Sequence, residues 1–157
     1  MPVMNKKTLY EGLDAFVKGD LLEDRDQYYC EKCDKKVDAL KRTCFHTLPR
    51  YMIMTLKRFK YDMDRMMRVK LNDYYEFKEE IDIAEYTHEY LSAKEKAQKE
   101  KKNEDGEAPD SKEELLKTLK QPRAYYQYEL VGIVVHSGTA DSGHYYSYIK
   151  EQEAFKA

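Results

Sequence analysis

Hydrophobic and polar residues along the chain predict a sheet-rich domain with few helices. From Thr8 onward, apolar residues recur at helical spacing as far as Val17, and Gly19 can end this helix. Thr8 and Glu11 fit a capping box, in which each side chain satisfies a backbone N–H near the helix start. Residues 1–7 precede the helix and are expected to lie outside the ordered domain.

Extended segments follow the first helix. The pattern predicts strands at 37–48 and 51–59, joined through Pro49, and another at 69–77. In 51–59 both alternating faces carry apolar groups, which is typical of a strand that is covered on both sides. The fold class expected is therefore α+β, with a mainly antiparallel sheet and a few helices.

Residues 92–121 differ sharply in composition from the rest of the chain. Within it, 94–107 is almost wholly Lys, Glu, Ala, Gln, Asn and Asp without an apolar face, so the segment is expected to be a solvated, partly helical or disordered insertion. Asp110 or Ser111 can cap a short helix near its end. The ordered domain is expected to comprise residues 8–91 and 123–150.

The stretch 130–150 reads as strand, loop, strand. A β-branched apolar run leads into Ser137–Gly143, whose small and polar residues predict a mobile loop, and His144 opens the next strand. An imidazole at that position can take and give a proton near neutrality. A structural histidine at a hairpin turn explains the same position equally well on this stretch alone.

Cys30 and Cys33 form a Cys-x-x-Cys flanked by lysines. Two such thiolates can bind one metal ion from a single turn, but a structural zinc requires four ligands. The third cysteine, Cys44, lies in an apparent strand and is expected to be a packing residue. The pair is therefore either half of a zinc site or empty of metal, whereas a thioredoxin-like redox role lacks its usual βαβ context.

Composition narrows the classes of partner. The 157-residue chain has a formal net charge of -2, which gives no electrostatic reason to expect nucleic acid or an anionic membrane surface. It contains no apolar run long enough to cross a bilayer. Fifteen tyrosines and no tryptophan suit a face that grips another polar surface. The cysteine usage favours a reducing compartment, and we expect the cytoplasm, with the nucleus as an additional compartment.

Several short motifs, taken in chain order, resemble the C-terminal part of a ubiquitin-specific protease catalytic domain. The nearest variety is the fat-facets-like group of large deubiquitinases. The resemblance covers nearly the whole chain apart from the charged insertion. The motifs are Gly19–Glu23, Tyr29–Asp38, Leu48–Arg50, Leu56–Phe59, Val134–Gly138 and Gly143–Ile149.

The resemblance implies a papain-like cysteine protease laid out as fingers, palm and thumb. His144 is then the general base that deprotonates a nucleophilic Cys. Cys30 and Cys33 are two of the four ligands of a structural zinc in the fingers. The loop Ser137–Gly143 resembles a ubiquitin-responsive loop beside the active site.

The resemblance also implies a narrow slot for the tail of ubiquitin, which ends in two glycines. Phe59, Gly143 and Tyr145 would line this slot, and Arg58 would lie close by. His136 is expected to support the loop rather than act as a second base.

The family's Cys box, its first Cys-x-x-Cys and the Asn or Asp that orients the histidine are expected to lie outside this sequence. We therefore expect a fragment of a deubiquitinase that is inactive alone, with ubiquitin and ubiquitinated proteins as partners. A non-catalytic ubiquitin-binding module on the same sheet is the alternative. Apolar surface left uncovered in such a fragment makes self-association an expectation.

Overall fold

The computed structural model describes residues 1–102 and 111–151. Its helices and strands are short, and three single 3₁₀ turns lie between them. In chain order, the elements are α1 (Leu9–Lys18), β1 (Asp20–Leu22), β2 (Tyr28–Cys30), β3 (Lys35–Val37), β4 (Ala39–Lys41), β5 (Phe59–Asp62), β6 (Met67–Lys70), β7 (Glu80–Asp82), α2 (His88–Lys102), α3 (Lys112–Lys117), β8 (Gln127–Glu129), β9 (Gly132–Gly138) and β10 (Gly143–Ile149).

The strands described here form antiparallel pairs. β2 with β3, β5 with β6 and β9 with β10 are hairpins, whereas β1 pairs with β4 and β7 with β8 across longer connections. This arrangement of a few helices with antiparallel strands confirms the α+β class expected from the sequence.

Helix α1 begins and ends where the sequence predicts. The Thr8 Oγ1 accepts a hydrogen bond from the Glu11 N–H at 3.2 Å, and Gly19 closes the helix with φ of 74°. The Glu11 carboxylate accepts from the Lys7 N–H at 2.8 Å rather than from Thr8. The cap is therefore a variant of the expected box, in which the residue before the N-cap supplies the second donor.

The main core packs around α1. It joins α1 to the turn before α2 and to the segment before β8, and its members are Val3, Leu9, Leu13, Leu48, Tyr75, Ile83, Ala84, Tyr86 and Tyr126. The Tyr86 hydroxyl donates to the Asp14 carboxylate at 3.1 Å. Burial, together with this nearby carboxylate, raises the pKa of Tyr86 well above its usual range.

The N-terminal residues belong to this core, contrary to the sequence-based expectation. Val3 is only 4% exposed, and the Lys57 N–H donates to the Met1 carbonyl at 2.9 Å. The ordered body therefore begins before Thr8. The expectation failed because a short segment with one apolar anchor has no periodicity from which its burial can be read.

The three strands predicted before the charged segment are mostly irregular. In 37–48, regular pairing covers only Val37 and Ala39–Lys41. In 51–59 regular pairing begins only at Phe59, and in 69–77 it ends at Lys70. Met52, Met54 and Leu56 nevertheless pack on the main core, while Ile53 is 91% exposed. The alternation of apolar residues in 51–59 therefore marks the side chains that pack on the core, although the segment does not pair as a strand.

The charged segment is packed at both of its described ends, and the burial of Ala97 corrects the expectation that 94–107 has no apolar face. α2 runs through residue 102, and Ala97 on it is 4% exposed. Together with Tyr90 and Leu91 it packs against Leu115 of α3 in a second core cluster. The positions 103–110 of the predicted insertion lie outside the described residues.

Ser111 is the N-cap of α3, and it is one of the two caps that the sequence predicted. Its Oγ accepts from the Glu114 N–H at 3.2 Å, and the Glu114 carboxylate accepts from the Ser111 N–H at 3.3 Å. The other candidate cap, Asp110, lies outside the described residues. Among residues 1–102 and 111–151, no helix combines the length and the apolar character that a membrane crossing requires.

Candidate active site and metal-ligand turn

The hairpin of β9 and β10 carries most of the predicted site. Its register pairs Gly138 with Gly143, and the four residues between them form a tight turn. The Thr139 N–H donates to the Ser142 carbonyl at 2.8 Å, and the Ser142 N–H donates to the Thr139 hydroxyl at 3.3 Å. The structure shortens the expected loop at 137–143 to residues 139–142, because both ends of that segment belong to strands.

His144 lies at the start of β10, as predicted, and its side chain is exposed. It stands opposite Ser137 in the hairpin register. Within the described residues nothing hydrogen-bonds its ring, so both nitrogens are open to groups brought to this face. An accessible imidazole of this kind can exchange a proton with a thiol or an amine.

The other face of the same hairpin borders a cleft of about 590 Å³. His136 lines it, with its ring centroid 5.2 Å from that of Phe59 and 4.7 Å from that of Tyr145. Gly143 lines the cleft beside these rings. Three of the predicted slot residues, Phe59, Gly143 and Tyr145, are therefore brought together.

Space around Gly143 is limited on the cleft side. A Cβ at this position would lie 2.2 Å from the Ser137 carbonyl oxygen and 2.5 Å from the His136 Nε2. Only glycine allows the two strands and the imidazole to approach this closely. The His136 Nδ1 is buried and has no hydrogen-bond partner among the described residues.

A lysine fixes the cleft walls to each other. The Lys70 Nζ on β6 donates to the carbonyl oxygens of His136 at 2.9 Å and Gly138 at 3.3 Å. The ammonium group thereby joins the hairpin of β5 and β6 to β9, although the strands of the two hairpins do not pair with each other in the described part of the chain. This link positions Phe59 against His136.

Arg58 does not line the cleft. Its Nη1 donates to the Leu71 and Asp73 carbonyl oxygens at 3.1 and 3.0 Å, and its guanidinium lies 5.9 Å from the centre of the Tyr75 ring. The structure therefore separates Arg58 from its chain neighbour Phe59 and uses it to hold the irregular segment after β6.

Sequence reasoning missed three residues of the cleft, namely Lys60, Tyr61 and Arg68. The rest of the lining, Ala140, Asp141 and Ser142, belongs to the loop 137–143 that was expected beside the active site. The pairing of β5 with β6, which the irregular flanking segments conceal, brings the first three together. No sequence signal distinguished them from ordinary exposed strand residues.

Cys30 and Cys33 occupy the tight turn between β2 and β3. The Cys33 N–H donates to the Cys30 carbonyl at 3.1 Å, which closes the turn. Hydrogen bonds from the Cys33 backbone and thiol and from the Lys32 backbone lower the pKa of the Cys30 thiol. Both thiols are free, so the turn can present two sulfur ligands to one ion.

A full metal site is not formed by the residues described. No group of three or more His, Cys, Asp or Glu side chains with suitable spacing occurs in 1–102 and 111–151. Cys44 is half-buried against the second core cluster and lies outside the strands, between β4 and Phe45. Its surroundings agree with a packing role, although the predicted strand around it is absent.

Comparison with known proteins identifies the class to which this fold and site belong. Residues 20–156 match the family model for ubiquitin carboxyl-terminal hydrolase. Human ubiquitin carboxyl-terminal hydrolase 9Y is 42% identical over 147 residues, and the probable ubiquitin carboxyl-terminal hydrolase FAF of Drosophila melanogaster is 44% identical over 147 residues. Each match covers 94% of this chain, and 6% and 5% of the respective relative.

A solved structure gives the same result. The chain is similar to one in the SAGA Ubp8/Sgf11/Sus1/Sgf73 DUB module bound to ubiquitin aldehyde, with a TM-score of 0.67 and 31% identity. The match covers 96% of this chain and 27% of that chain. This protein chain belongs to the ubiquitin carboxyl-terminal hydrolase family, and the fat-facets-like affinity expected from its motifs is confirmed.

Proposed function

We propose that this chain is the palm and fingers part of a deubiquitinating cysteine protease, which hydrolyses isopeptide or peptide bonds after the C-terminal Gly of ubiquitin. The observation that carries the proposal is the exposed His144 at the start of β10, on a chain of this family. The nucleophilic Cys and the residue that orients the imidazole come from the rest of the protein.

His144 acts as the general base and then as the general acid. Its imidazole takes the proton of the thiol as the sulfur attacks the carbonyl carbon, and the proton passes to the leaving amine when the C–N bond breaks. Water then attacks the thioester carbonyl as the same imidazole removes a proton from it, and the C–S bond breaks. This releases the C-terminal carboxyl group of ubiquitin, and the sulfur takes the proton back from the imidazole. A freely accessible ring that no described residue engages supports this role.

The cleft beside the hairpin receives the tail of ubiquitin, and the tail passes the tip of the hairpin at Gly143 to bring its last carbonyl to His144, which lies on the opposite face. Phe59, Gly143 and Tyr145 line this cleft, and its aromatic rings can pack on the backbone of a tail that ends in two glycines. His136 supports the passage from within. A neighbouring solved structure is described as bound to ubiquitin aldehyde, and another as bound to monoubiquitin, which supports ubiquitin as the partner.

Cys30 and Cys33 supply two thiolates to a structural zinc whose other two ligands belong to the rest of the protein. The closed turn and the lowered pKa of the Cys30 thiol support this assignment, because thiolate rather than thiol binds zinc. Free thiols at all three cysteines agree with a reducing compartment, and we propose the cytoplasm.

The isolated chain self-associates through its terminal hairpin. Val134 is 72% exposed, Tyr148 is 64% exposed and Ile149 is 78% exposed, so apolar side chains cover both faces. Sedimentation of the 157-residue chain is expected to give a mass that rises with concentration. A constant monomer mass up to high concentration would contradict this part of the proposal.

The test of the enzyme assignment uses the full-length protein with a ubiquitin-amide reporter. His144→Ala is expected to lower kcat/KM by about a thousandfold or more while the Kd for ubiquitin changes little. Tyr146→Phe, two residues along the same strand, is the matched control and keeps the hairpin packing. Unchanged turnover in His144→Ala removes the histidine from the mechanism.

The same assay separates the two functional classes. Full-length protein that binds ubiquitin but gives no turnover is a ubiquitin-binding module, and the enzyme proposal fails. The 157-residue chain alone is expected to give no turnover. Activity of that chain that Cys44→Ser abolishes would identify Cys44 as a nucleophile and overturn the packing role given to it above.

A further inference from the structure

Two histidines lie together on a surface away from the hairpin. His46 and His88 are both exposed, and their ring centroids are 5.5 Å apart with an interplanar angle of 41°. They are 42 positions apart in sequence and belong to different elements, since His88 is the first residue of α2. Neither ring takes part in the site described above.

The backbone around the two histidines is held on both sides. The Phe45 N–H donates to the Tyr86 carbonyl at 3.1 Å, and the His88 N–H donates to the Phe45 carbonyl at 2.7 Å. Phe45 and Thr87 form an isolated parallel bridge between these bonds. The two Cα atoms that carry the imidazoles are therefore fixed beside each other before any ligand binds.

Each ring has a hydroxyl partner for one nitrogen. The His46 Nδ1 lies 3.3 Å from the Thr47 Oγ1, and the His88 Nε2 lies 3.3 Å from the Ser92 Oγ. When these nitrogens carry the proton and donate it, the His46 Nε2 and the His88 Nδ1 are left with free lone pairs. Metal-binding histidines are usually oriented in this way, by a hydrogen bond from the nitrogen that does not bind the metal.

We propose that His46 and His88 bind one divalent transition-metal ion of the Zn²⁺, Ni²⁺ or Cu²⁺ type. A metal about 2.0–2.1 Å from one nitrogen of each ring places the two ring centroids roughly 5 to 6 Å apart. The observed 5.5 Å lies within that interval. Imidazole is a preferred ligand of these ions, and such a pair of nitrogens is expected to bind Cu²⁺ more tightly than either Ni²⁺ or Zn²⁺.

Water completes the coordination shell at this pair, because the described residues contain no group of three ligands. The ion would join the first turn of α2 to the segment that leads into the buried Leu48. Binding therefore requires the native pairing of these two segments and stabilises the folded state over the unfolded chain.

The test uses the 157-residue chain with Cys30→Ser and Cys33→Ser, which removes the thiolate turn as a competing ligand. Ni²⁺ titrated by calorimetry is expected to bind at one ion per chain. His46→Gln and His88→Gln, each made in that background, are expected to weaken the affinity at least tenfold. His144→Gln, which removes another exposed imidazole, is the matched control and is expected to leave the affinity unchanged.

A second measurement needs no variant at the pair. Paramagnetic Ni²⁺ is expected to broaden the imidazole resonances of His46 and His88 at lower concentrations than those of His136 and His144. Equal broadening of all four histidines overturns the proposal. So does an affinity that changes less than twofold in both glutamine variants, or one that falls equally in His144→Gln.

Discussion

The fit of the hairpin around Gly143 gives a quantitative prediction for the substitution Gly143→Ala. The new Cβ would stand 2.2 Å from the Ser137 carbonyl oxygen, more than 1 Å inside the 3.4 Å at which ordinary contact begins. That neighbour is backbone, so the strands must separate or the chain must bend. Forcing a methyl group into a packed site usually costs about 1–3 kcal/mol of stability.

The other end of the same hairpin supplies the matched control. A Cβ at Gly132 would lie 3.4 Å from the Tyr148 carbonyl oxygen, which is an ordinary contact. Gly132→Ala is therefore expected to be neutral or to stabilise the chain by up to about 1 kcal/mol, because alanine restricts the unfolded chain. The two variants make the same chemical change on paired strands.

The assay is equilibrium unfolding in urea followed by far-ultraviolet circular dichroism. With a denaturant dependence of about 2 kcal/mol per molar urea, a 2 kcal/mol loss lowers the midpoint by roughly 1 M. Adding His136→Ala to Gly143→Ala is expected to restore only part of the loss, because it removes the imidazole contact and leaves the carbonyl contact. A Gly143→Ala midpoint at or above that of Gly132→Ala would refute the reasoning.

Three further predictions concern the elements that support the site. Lys70→Met removes both hydrogen bonds to β9 and is expected to lower the free energy of unfolding by about 1–3 kcal/mol in urea, whereas Lys60→Met, one strand away, is expected to change it by less than about 0.5 kcal/mol. Because the pKa of Tyr86 is raised in the folded state, its hydroxyl stays protonated there at a pH where the tyrosine of the unfolded chain has already ionised. The stabilisation that Tyr86 contributes is therefore complete below about pH 10, and it is lost as the pH rises beyond that value. Tyr86→Phe should flatten this alkaline decline in urea midpoints measured from pH 8 to 11, and an unchanged slope would contradict the assignment. Leu115→Ala is expected to lower the free energy of unfolding by about 2–4 kcal/mol, because the side chain is only 6% exposed. Lys117→Ala, at an exposed position of the same helix, is expected to be near neutral. If hydrogen exchange in α2 is the same in both variants, α3 does not support α2.

The parts of the fold that sequence predicted well have local causes. Helix α1 combines helical periodicity with a threonine cap and a terminal glycine, and each of these acts within a few residues. The hairpin of β9 and β10 was expected for the same reason, although β9 begins two residues later than the apolar run and the loop is shorter. Local signals are sufficient where the neighbours in space are also neighbours in sequence.

Pairing between distant segments could not be predicted in this way. Alternation in 51–59 records which side chains pack on the core, but a strand also requires a backbone partner, and the pattern carries no information about one. The same limit applied to the charged segment, where Ala97 was not recognised as buried because its partner Leu115 lies in another helix. The composition of the segment correctly indicated that much of α2 is exposed to solvent, but it did not indicate that Ala97 packs against α3.

The candidate site was predicted as a set of residues but not as an arrangement. The motif around Gly143 placed His144 and Tyr145 in the same strand, but no local pattern separated Phe59, which contacts His136, from Arg58. Arg58 lies just before β5, and its guanidinium donates to carbonyl oxygens of the segment after β6. These partners are distant in sequence, so the resemblance that put Arg58 near the slot carried no information about them.

The register of the hairpin of β9 and β10 places its functional side chains on two different faces. His144 shares a face with Ser137, while Tyr145 and His136 stand together on the cleft side. A slip of one residue would exchange the two faces and turn the imidazole toward the cleft. The hydrogen bonds between Thr139 and Ser142 close the turn in the observed register. This turn requires glycine at 138, where φ is 123° and a Cβ would lie 2.5 Å from the Ser142 carbonyl oxygen. The small residues at the tip therefore fix the register on which both the proton transfer and the passage for the ubiquitin tail depend.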